Sequence, residues 1–310
     1  MTTLYLTHQI CLEHEGPRGH PERPDRLRAI WRGLDAARFA PLERREAKPA
    51  DPALALLAHD ERYCTMLPQL IPPEGQTTHV DADTYLSAHS WQAILHALGA
   101  ATLAVDAVMA GTAVNAFCAI RPPGHHAERA AAMGFCLLNN AAIAVRHAQR
   151  AYGAERVAII DFDVHHGNGS QDIFWNDPSV LYASSHEWPL YPGTGAASET
   201  GEHDNIVNLP LAGGTGSTGF RNGYEGVILE RVEAFSPDLI VISAGFDAHR
   251  RDPLASLTLD DEDFGWVTRK LMEIASRRCG SRIVSVLEGG YDLVGLAGSA
   301  CAHVAALMEA

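Results

Sequence analysis

Four side chains that could hold a metal ion or carry protons stand together in AIIDFDVHHGNG, residues 158–169. Asp161, Asp163, His165 and His166 occupy or follow the end of an apolar, β-branched run that is typical of a buried strand. A buried carboxylate without a partner is costly, so several such groups at one strand end indicate a shared cation. Because Asp163 and His165 are two residues apart, an extended backbone points both side chains the same way.

A third ligand follows a different apolar run. Asp247 lies in FDAH, residues 246–249. Together with Asp163 and His165 it would leave one coordination position open for water, which is the arrangement of catalytic rather than structural zinc sites. Two carboxylates and one imidazole also suit iron(II), cobalt or manganese. The ligand set therefore predicts a divalent metal without naming it.

Two histidines and a tyrosine elsewhere could move the protons. Two carboxylates neutralise a divalent ion, so water at such a site is less acidic than at a three-histidine site and needs a base beside it. His125 and His126, in RPPGHHA, are candidates because imidazole titrates near neutral pH. Tyr291 follows two glycines, and its phenol could donate a hydrogen bond to a developing oxyanion during amide hydrolysis.

These candidates follow apolar runs that are typical of strands covered on both faces. The predicted strands span residues 115–120, 156–162, 179–185, 238–245 and 282–290. Helical patterns alternate with them, which favours a parallel sheet flanked by helices. In open α/β sheets, ligands bind beyond the carboxyl ends of the strands, so the candidate residues should meet at one edge.

The helical patterns are specific enough to place three helices. Apolar residues at helical spacing form two sets: Leu27, Ile30, Trp31 and Leu34, and then Phe264, Val267, Leu271 and Ile274. A further helix is expected over residues 140–152, with Gly153 as its C-terminal glycine. Asp260 is the expected N-cap of the helix that contains Phe264.

Composition limits the classes of function. The chain has 310 residues and a formal net charge of −14, which argues against nucleic-acid binding and suits a cationic substrate. No run approaches the ~18 apolar residues that a membrane helix needs, so no membrane partner is expected. The six cysteines form no CxxC pair and no disulfide framework, which is typical of reduced thiols in a cytoplasmic protein.

The motifs RPPGHHA, GFC, DVHHGNG, SAGFDAHRRDPL and EGGY together resemble those of zinc-dependent histone deacetylases. The similarity is to the class II-like branch, which includes bacterial deacetylases and amidohydrolases of acylated amines, and it extends from residue 20 to residue 293. It implies the arginase/deacetylase fold, a single α/β domain over residues 1–310 with a central, mostly parallel sheet flanked by helices. It also implies removal of acetyl or other short acyl groups from lysine side chains or related amines by metal-activated water.

The resemblance assigns roles by position. The implied zinc ligands are Asp163, His165 and Asp247. The implied catalytic residues are His126 as general base and acid, His125 as its neighbour held by Asp161, Asn168 as the partner of His126, and Tyr291, which polarises the carbonyl. The implied substrate-binding residues of the tunnel are Gly134, Phe135, Tyr191 and Leu254. Independently of the resemblance, the acids in HVDADTY make Asp83 a candidate at the rim, with an ordinary surface loop as the favoured alternative. Class I members have Asp in place of Asn168, and Tyr191 replaces the commoner Phe.

A second ion is implied by the same resemblance. It is a structural potassium ion beneath the zinc, bound by the Asp161 side chain, by Ser184 and by the backbone carbonyls of Asp163, His165 and Ser185. Neither composition nor spacing points to this ion independently. The oligomeric state is not readable from the sequence.

Three other functions compete with a lysine deacetylase. Polyamine-directed members can carry an acidic gatekeeper after Asp–Pro, where this chain has Leu254, which favours acyl-lysine peptides or neutral-tailed amides over acetylpolyamines. Two-metal ureohydrolases place acids where this chain has Gly167 and His249, so one metal is expected. An inactive acyl-lysine reader should lack a ligand, a catalytic histidine or the tyrosine, and all are present.

Overall fold

The computed structural model describes residues 2–309 and is built on one eight-stranded sheet in which every pair of neighbours is parallel. The order across the sheet is β2-β1-β5-β10-β9-β6-β7-β8. Its strands are β1 (Thr3–Thr7), β2 (Glu43–Glu46), β5 (Asn115–Cys118), β6 (Val157–Asp161), β7 (Val180–Glu187), β8 (Ile206–Leu211), β9 (Leu239–Ala244) and β10 (Ile283–Leu287). A separate antiparallel pair consists of β3 (Thr77–His79) and β4 (Tyr85–Ser87).

Helices cover both faces of the large sheet. They are α1 (Asp25–Leu34), α2 (Glu61–Met66), α3 (Ser90–Met109), α4 (Asn140–Tyr152), α5 (Asn168–Phe174), α6 (Ser217–Gly223), α7 (Leu229–Phe235), α8 (Asp261–Arg278) and α9 (Leu293–Leu307). One apolar core lies between the sheet and α3 with α4, and the other lies between the sheet and α1, α8 and α9. The central strands are therefore buried on both faces, which explains their continuous apolar sequences.

All five predicted strands are confirmed, each shorter at one or both ends or shifted by one or two residues. The predicted helices are confirmed too: α4 ends at Gly153, whose φ is +68°, and the backbone N–H of the N-cap Asp260 donates to the Asp263 side chain. The sequence patterns missed β1, β2 and β8 of the large sheet and both strands of the separate pair, β3 and β4. β2 is a charged edge strand, and β8 is an edge strand that contains Pro210, so neither has the apolar signature of a central strand.

The expectation that no segment is apolar enough to cross a membrane was wrong for α3. This helix has the length and apolar composition of a membrane span, but 67% of its most apolar 18-residue stretch is buried inside the protein. Polar residues such as Gln92, His96 and Asp106 divide it in the sequence and lie on its more exposed side. In this fold α3 packs against α4 and β5 as a core helix.

The four strands that carry candidate residues are neighbours at the centre of the sheet, in the order β5-β10-β9-β6. The histidine pair follows β5, Tyr291 follows β10, Asp247 follows β9, and the DVHH segment follows β6. Since all four strands are parallel, their carboxyl ends meet at one edge of the sheet. Topology therefore collects the side chains that the sequence had placed on separate strands.

A buried ionic network holds two of these strand-end loops. Glu22 accepts hydrogen bonds from Arg26 (2.9 Å) and from two nitrogens of Arg121, and all three side chains are at most 1% exposed. Arg26 also donates to the carbonyls of Glu288 and Gly290, next to Tyr291. Burial alone would raise the pKa of Glu22, but Arg121 and Arg26 hold it at about 2.

Replacing Glu22 by Gln should destabilise the protein by about 3–5 kcal/mol, because two guanidinium groups would stay buried without their counter-charge. The carboxylate contribution is fully present above the ordinary pKa of 4.5 and is lost as the pH falls towards 2. Urea unfolding at several pH values measures both effects. Glu61→Gln, at an exposed position of α2, is the control, and equal losses in the two variants would contradict the role of the network.

Candidate active site

The three predicted metal ligands converge at the carboxyl edge of β6 and β9. Nδ1 of His165 lies 3.2 Å from Oδ1 of Asp163 and 3.2 Å from Oδ2 of Asp247. One ligand atom of each residue lies within 4.8 Å of the others, and all three residues are buried. The structure therefore brings together one nitrogen and two oxygen donors that are separated by up to 84 positions in the sequence.

Backbone groups and two glycines hold the carboxylates in place. Asp163 accepts hydrogen bonds from the N–H groups of His165 (2.9 Å) and Gly289 (2.7 Å), and Asp247 accepts one from Val164 (2.8 Å). A Cβ atom at Gly289 would lie 2.2 Å from Oδ2 of Asp247, and one at Gly245 would lie 2.0 Å from Oδ2 of Asp163. Only glycine fits at either position.

The charges of this cluster fit a bound cation. Burial opposes protonation of His165, but its bonds to Asp163 and Asp247 raise its pKa to about 10. Burial and the neighbouring Asp163 raise the pKa of Asp247 to about 7. Two buried carboxylates thus require a positive charge between them, which a divalent metal ion would supply through the same donor atoms. The donor set suits zinc and also iron(II), cobalt or manganese.

The two histidines that follow β5 have opposite environments. Nδ1 of His125 lies 3.0 Å from Oδ2 of Asp161, whereas Nδ1 of His126 lies 2.8 Å from the amide oxygen of Asn168. Burial lowers the pKa of both rings, but Asp161 and Asp163 reverse this for His125 and raise its pKa to about 10. The pKa of His126 stays well below its usual value because burial and the neighbouring His125 both oppose its charge. At neutral pH the pair therefore consists of one charged and one neutral ring.

A cavity of about 220 Å³ leads to this cluster, and all four predicted tunnel residues line it. Its walls consist of Asp83, His126, Gly134, Phe135, His165, Leu190, Tyr191, Leu254 and Tyr291. Burial raises the pKa of Tyr291 well above that of a free phenol, so its hydroxyl keeps the proton as a hydrogen-bond donor. A predicted metal ligand, a neutral histidine and a phenol therefore line the same small cavity.

One wall of the cavity is formed by a turn in which two successive residues have positive φ angles. Gly134 and Phe135 have φ angles of +55° and +69°. A Cβ atom at Gly134 would lie 2.4 Å from Cδ2 of His126, so the turn packs directly on the histidine. The Phe135 ring meets Tyr291 edge-on at 5.8 Å, and Tyr191 meets His126 edge-on at 5.2 Å. Two aromatic rings therefore sit beside the two groups expected to move or donate protons.

The residues expected to bind potassium lie in or just after β6 and in the second half of β7. Asp161 pairs with Ser184 in the register of β6 and β7, and its carboxylate is fully buried. Burial raises the pKa of Asp161 although His125 and Tyr182 both bond to it, so a cation at this place fits the charge. The hydroxyl of Ser184 lies 2.9 Å from Nδ1 of His186, and that of Ser185 donates to Tyr224.

Sequence patterns missed a carboxylate that positions Tyr291. Oδ2 of Asp252 accepts hydrogen bonds from the N–H groups of Tyr291 (2.7 Å) and Asp292 (3.3 Å), and Oδ1 accepts one from Leu254 (3.0 Å). The tunnel wall and the tyrosine loop are therefore fixed to one side chain. The only local signal is an Asp before a Pro in DPL, since two of the three partners lie about 40 residues further along the chain.

The positions that would bind a second metal in a ureohydrolase are closed. A Cβ atom at Gly167 would lie 2.3 Å from Oδ2 of Asp161 and 2.5 Å from the hydroxyl of Tyr182. His249 accepts a hydrogen bond from the backbone of Arg251 and lies 3.6 Å from Asp261, so both ring nitrogens have partners other than the cluster. These positions supply no further ligands for a two-metal centre.

Residues 20–307 match the histone deacetylase domain. The chain belongs to the histone deacetylase family. A type-2 histone deacetylase 2 of Dictyostelium discoideum is 36% identical over 94% of this chain, which spans 20% of that longer protein. A probable deacetylase of Archaeoglobus fulgidus is 40% identical, with 95% of this chain and 83% of that protein covered.

The fold agrees with the sequence comparison. The crystal structure of the HDA15 HD domain superposes with a TM-score of 0.93 at 37% identity and covers 99% of this chain and 88% of that chain. The expected family and the expected single-domain α/β fold are therefore confirmed. Within this family member, the metal cluster, the histidine pair and the tyrosine line one cavity, as described above.

Adding a methyl group at Gly289, which packs against the metal ligands Asp163 and Asp247, should weaken metal binding. Gly289→Ala places Cβ against Asp247 and should lower metal affinity by about 10–100-fold, the usual cost of disturbing the groups behind metal ligands. Competition with a chelator measures the affinity for Zn²⁺ and Co²⁺. Gly226→Ala, where no atom lies within 4 Å of the added Cβ, is the control. Wild-type metal affinity in Gly289→Ala would contradict the assignment of Asp163, His165 and Asp247 as the metal ligands.

Proposed function

We propose that this chain is a zinc-dependent amide hydrolase that removes acetyl or other short acyl groups from lysine side chains or related acylated amines. The observation that carries the proposal is the cavity of about 220 Å³ with His165, His126 and Tyr291 in its walls. These are a metal ligand, a neutral base and a phenolic donor. Amide hydrolysis requires all three kinds of group at one carbonyl.

Asp163, His165 and Asp247 would hold the zinc ion. When bound, zinc supplies a Lewis acid that polarises a carbonyl oxygen and acidifies water. The resemblance to deacetylases also supports a potassium ion at Asp161 and Ser184. Metal analysis of the purified protein checks both assignments: about one zinc per chain and retained potassium are expected, and a zinc content near two would reopen the ureohydrolase alternative.

His126 is the proposed general base and acid. Its Nδ1 bonds to Asn168, so Nε2 is the nitrogen available to the cavity that the ring lines. Nε2 takes a proton as the water oxygen forms its bond to the carbonyl carbon. It then returns the proton to the leaving nitrogen as the carbon–nitrogen bond breaks, which gives a carboxylic acid and an amine. The lowered pKa of His126 keeps the ring neutral and ready for the first transfer.

Tyr291 and His125 stabilise the negative charge that develops. The protonated phenol of Tyr291 donates a hydrogen bond to the carbonyl oxygen as it becomes an oxyanion. His125, held in the charged form by Asp161, contributes a positive charge next to His126. The ring centroids of His125 and His126 are 4.0 Å apart, so this charge also discourages a permanent charge on His126.

The proposed substrates are acyl-lysine peptides or proteins, or small amides with a neutral tail. Leu254 lines the cavity where polyamine-directed members can carry an acid, so no carboxylate at this position would attract a second amine. The aromatic walls formed by Phe135 and Tyr191 suit the methylene chain of a lysine. The acidic net charge of −14 is compatible with cationic peptides around the acylated residue.

Substitution of the proposed catalytic residues should abolish deacetylation of an acetyl-lysine peptide. His126→Ala should lower kcat by about 10²–10⁴-fold and Tyr291→Phe by about 10²–10³-fold. Exhaustive chelation should have the same effect, with recovery on adding zinc. His147→Ala and Tyr152→Phe are the matched controls. In the wild type both side chains form a hydrogen bond with Asp106, away from the cavity. A zinc-loaded protein that binds the peptide without turnover would instead support the reader alternative.

The wall residue Leu254 should decide between lysine and polyamine substrates. Leu254→Glu should raise kcat/KM for acetylspermidine relative to an acetyl-lysine peptide by about tenfold, or about 1.4 kcal/mol, because a second ammonium group gains a counter-charge. The glutamine of Leu254→Gln has nearly the same shape as the glutamate but no charge, so this variant should keep the wild-type ratio of the two kcat/KM values. A wild-type preference for acetylspermidine would contradict the assigned substrate class.

A further inference from the structure

The amide of Asn168 lies between the catalytic histidine and a second acidic residue. Its oxygen is 2.8 Å from Nδ1 of His126, and its nitrogen donates to Oε1 of Glu128 over 2.8 Å. Glu128 is partly buried, and its side chain lies behind Asn168 as seen from the histidine. The three side chains therefore form a continuous hydrogen-bonded row.

A carboxylate accepts hydrogen bonds and donates none, so the end of an amide that faces it must be the NH₂ group. The opposite end of the Asn168 amide is then its oxygen, which faces His126 and accepts from Nδ1–H. This fixes the His126 tautomer with a proton on Nδ1 and leaves Nε2 unprotonated. We propose that Glu128 is a positioning residue that sets the orientation of the Asn168 amide and, through it, the tautomer of the catalytic histidine.

The position of Glu128 is itself fixed by two backbone hydrogen bonds. Its N–H donates to the carbonyl of Ala131 over 2.9 Å, and its carbonyl accepts from Nδ1 of His59 over 2.9 Å. The Asn168 nitrogen also lies 3.1 Å from Sδ of Met133 and 3.5 Å from the carbonyl of His126. Sulfur is a weak acceptor and the second contact is long, so Glu128 is the strongest partner of the NH₂ group.

This row differs from the one behind His125. There Asp161 contacts the ring directly and favours the imidazolium. At His126 the carboxylate acts one amide away, so it orients the ring without contacting it. The proposal rests on the function of His126 described above, and it adds a residue outside the cavity wall to the machinery that keeps this ring a base.

The first test compares two substitutions of Glu128. Glu128→Ala removes the acceptor and lets the Asn168 amide rotate, so kcat should fall about tenfold with little change in KM. This loss of kcat is smaller than the ~10⁴-fold loss that accompanies a histidine held entirely in the wrong tautomer. Glu128→Gln retains an acceptor oxygen and should restore most of the activity. Glu61→Ala, on the neighbouring α2, is the control. Wild-type kcat in Glu128→Ala would overturn the proposal.

The second test uses the coupling between positions 128 and 168. Asn168→Asp places two carboxylates at the 2.8 Å contact and should reduce kcat strongly. Adding Glu128→Gln supplies an amide donor to the new carboxylate and should raise kcat about tenfold in that background, although the same change is nearly neutral or mildly harmful beside Asn168. Equal effects of Glu128→Gln in both backgrounds would refute the orienting role.

A readout that does not depend on turnover separates this proposal from the proposed function. Two-bond ¹H–¹⁵N spectra of zinc-loaded protein with labelled imidazole nitrogens report the tautomer of His126, assigned by loss of its signals in His126→Gln. Wild type and Glu128→Gln should show the Nδ1–H form, and Glu128→Ala should show a mixture. If the wild type does not hydrolyse acyl-lysine but the spectra change as expected, only the proposed function fails. An unchanged Nδ1–H form in Glu128→Ala overturns the orienting role.

Discussion

Uncompensated negative charge at the carboxyl edge of the sheet is the constraint on which the site depends. Asp163 and Asp247 are both buried and both contact His165, and Asp161, whose side chain accepts from the N–H of Asp163, is fully buried as well. The imidazoles of His125 and His165 supply part of the compensating charge. A divalent cation held by Asp163, His165 and Asp247 would supply the rest. The surrounding backbone is arranged accordingly, with N–H groups donating to the carboxylates and glycines giving the ligands room.

The same constraint explains why two adjacent histidines have different properties. His125 contacts the carboxylate of Asp161 and takes a positive charge, whereas His126 contacts the amide of Asn168 and stays neutral. A direct carboxylate behind His126 would have added another buried acid to the edge. An amide preserves the orientation of the ring and moves the negative charge of Glu128 one residue away from it.

The loops that carry these groups are held by buried polar contacts as well as by apolar packing. Arg26 links Glu22 to the carbonyls of Glu288 and Gly290, and Asp252 binds the backbone of Tyr291 and Leu254. In the proposed reaction, fixed loops would position the substrate carbonyl without rearrangement of the cavity. Removing one partner from such a buried pair is costly, which makes these contacts part of the stability of the fold.

The sequence by itself determined the ligand types, the order of the central strands along the chain and the edge where the side chains meet. Those features depend on residue identity and on local periodicity, which short windows contain. β2 and β8 were not predicted because they are the two edge strands of the sheet and carry charged or proline residues. A strand that is not buried on both faces has no continuous apolar run to recognise. β1 was missed although most of it is buried.

Tertiary structure decided the rest of the site. The Gly289 N–H that holds Asp163 is 126 positions away from it, Arg26 is 264 positions from Gly290, and Asn168 is 40 positions from Glu128. No local pattern indicates such partners, because each bond exists only after the chain has folded back on itself. The sequence names the chemical groups, and the packing of distant strand ends sets their distances, charges and orientations.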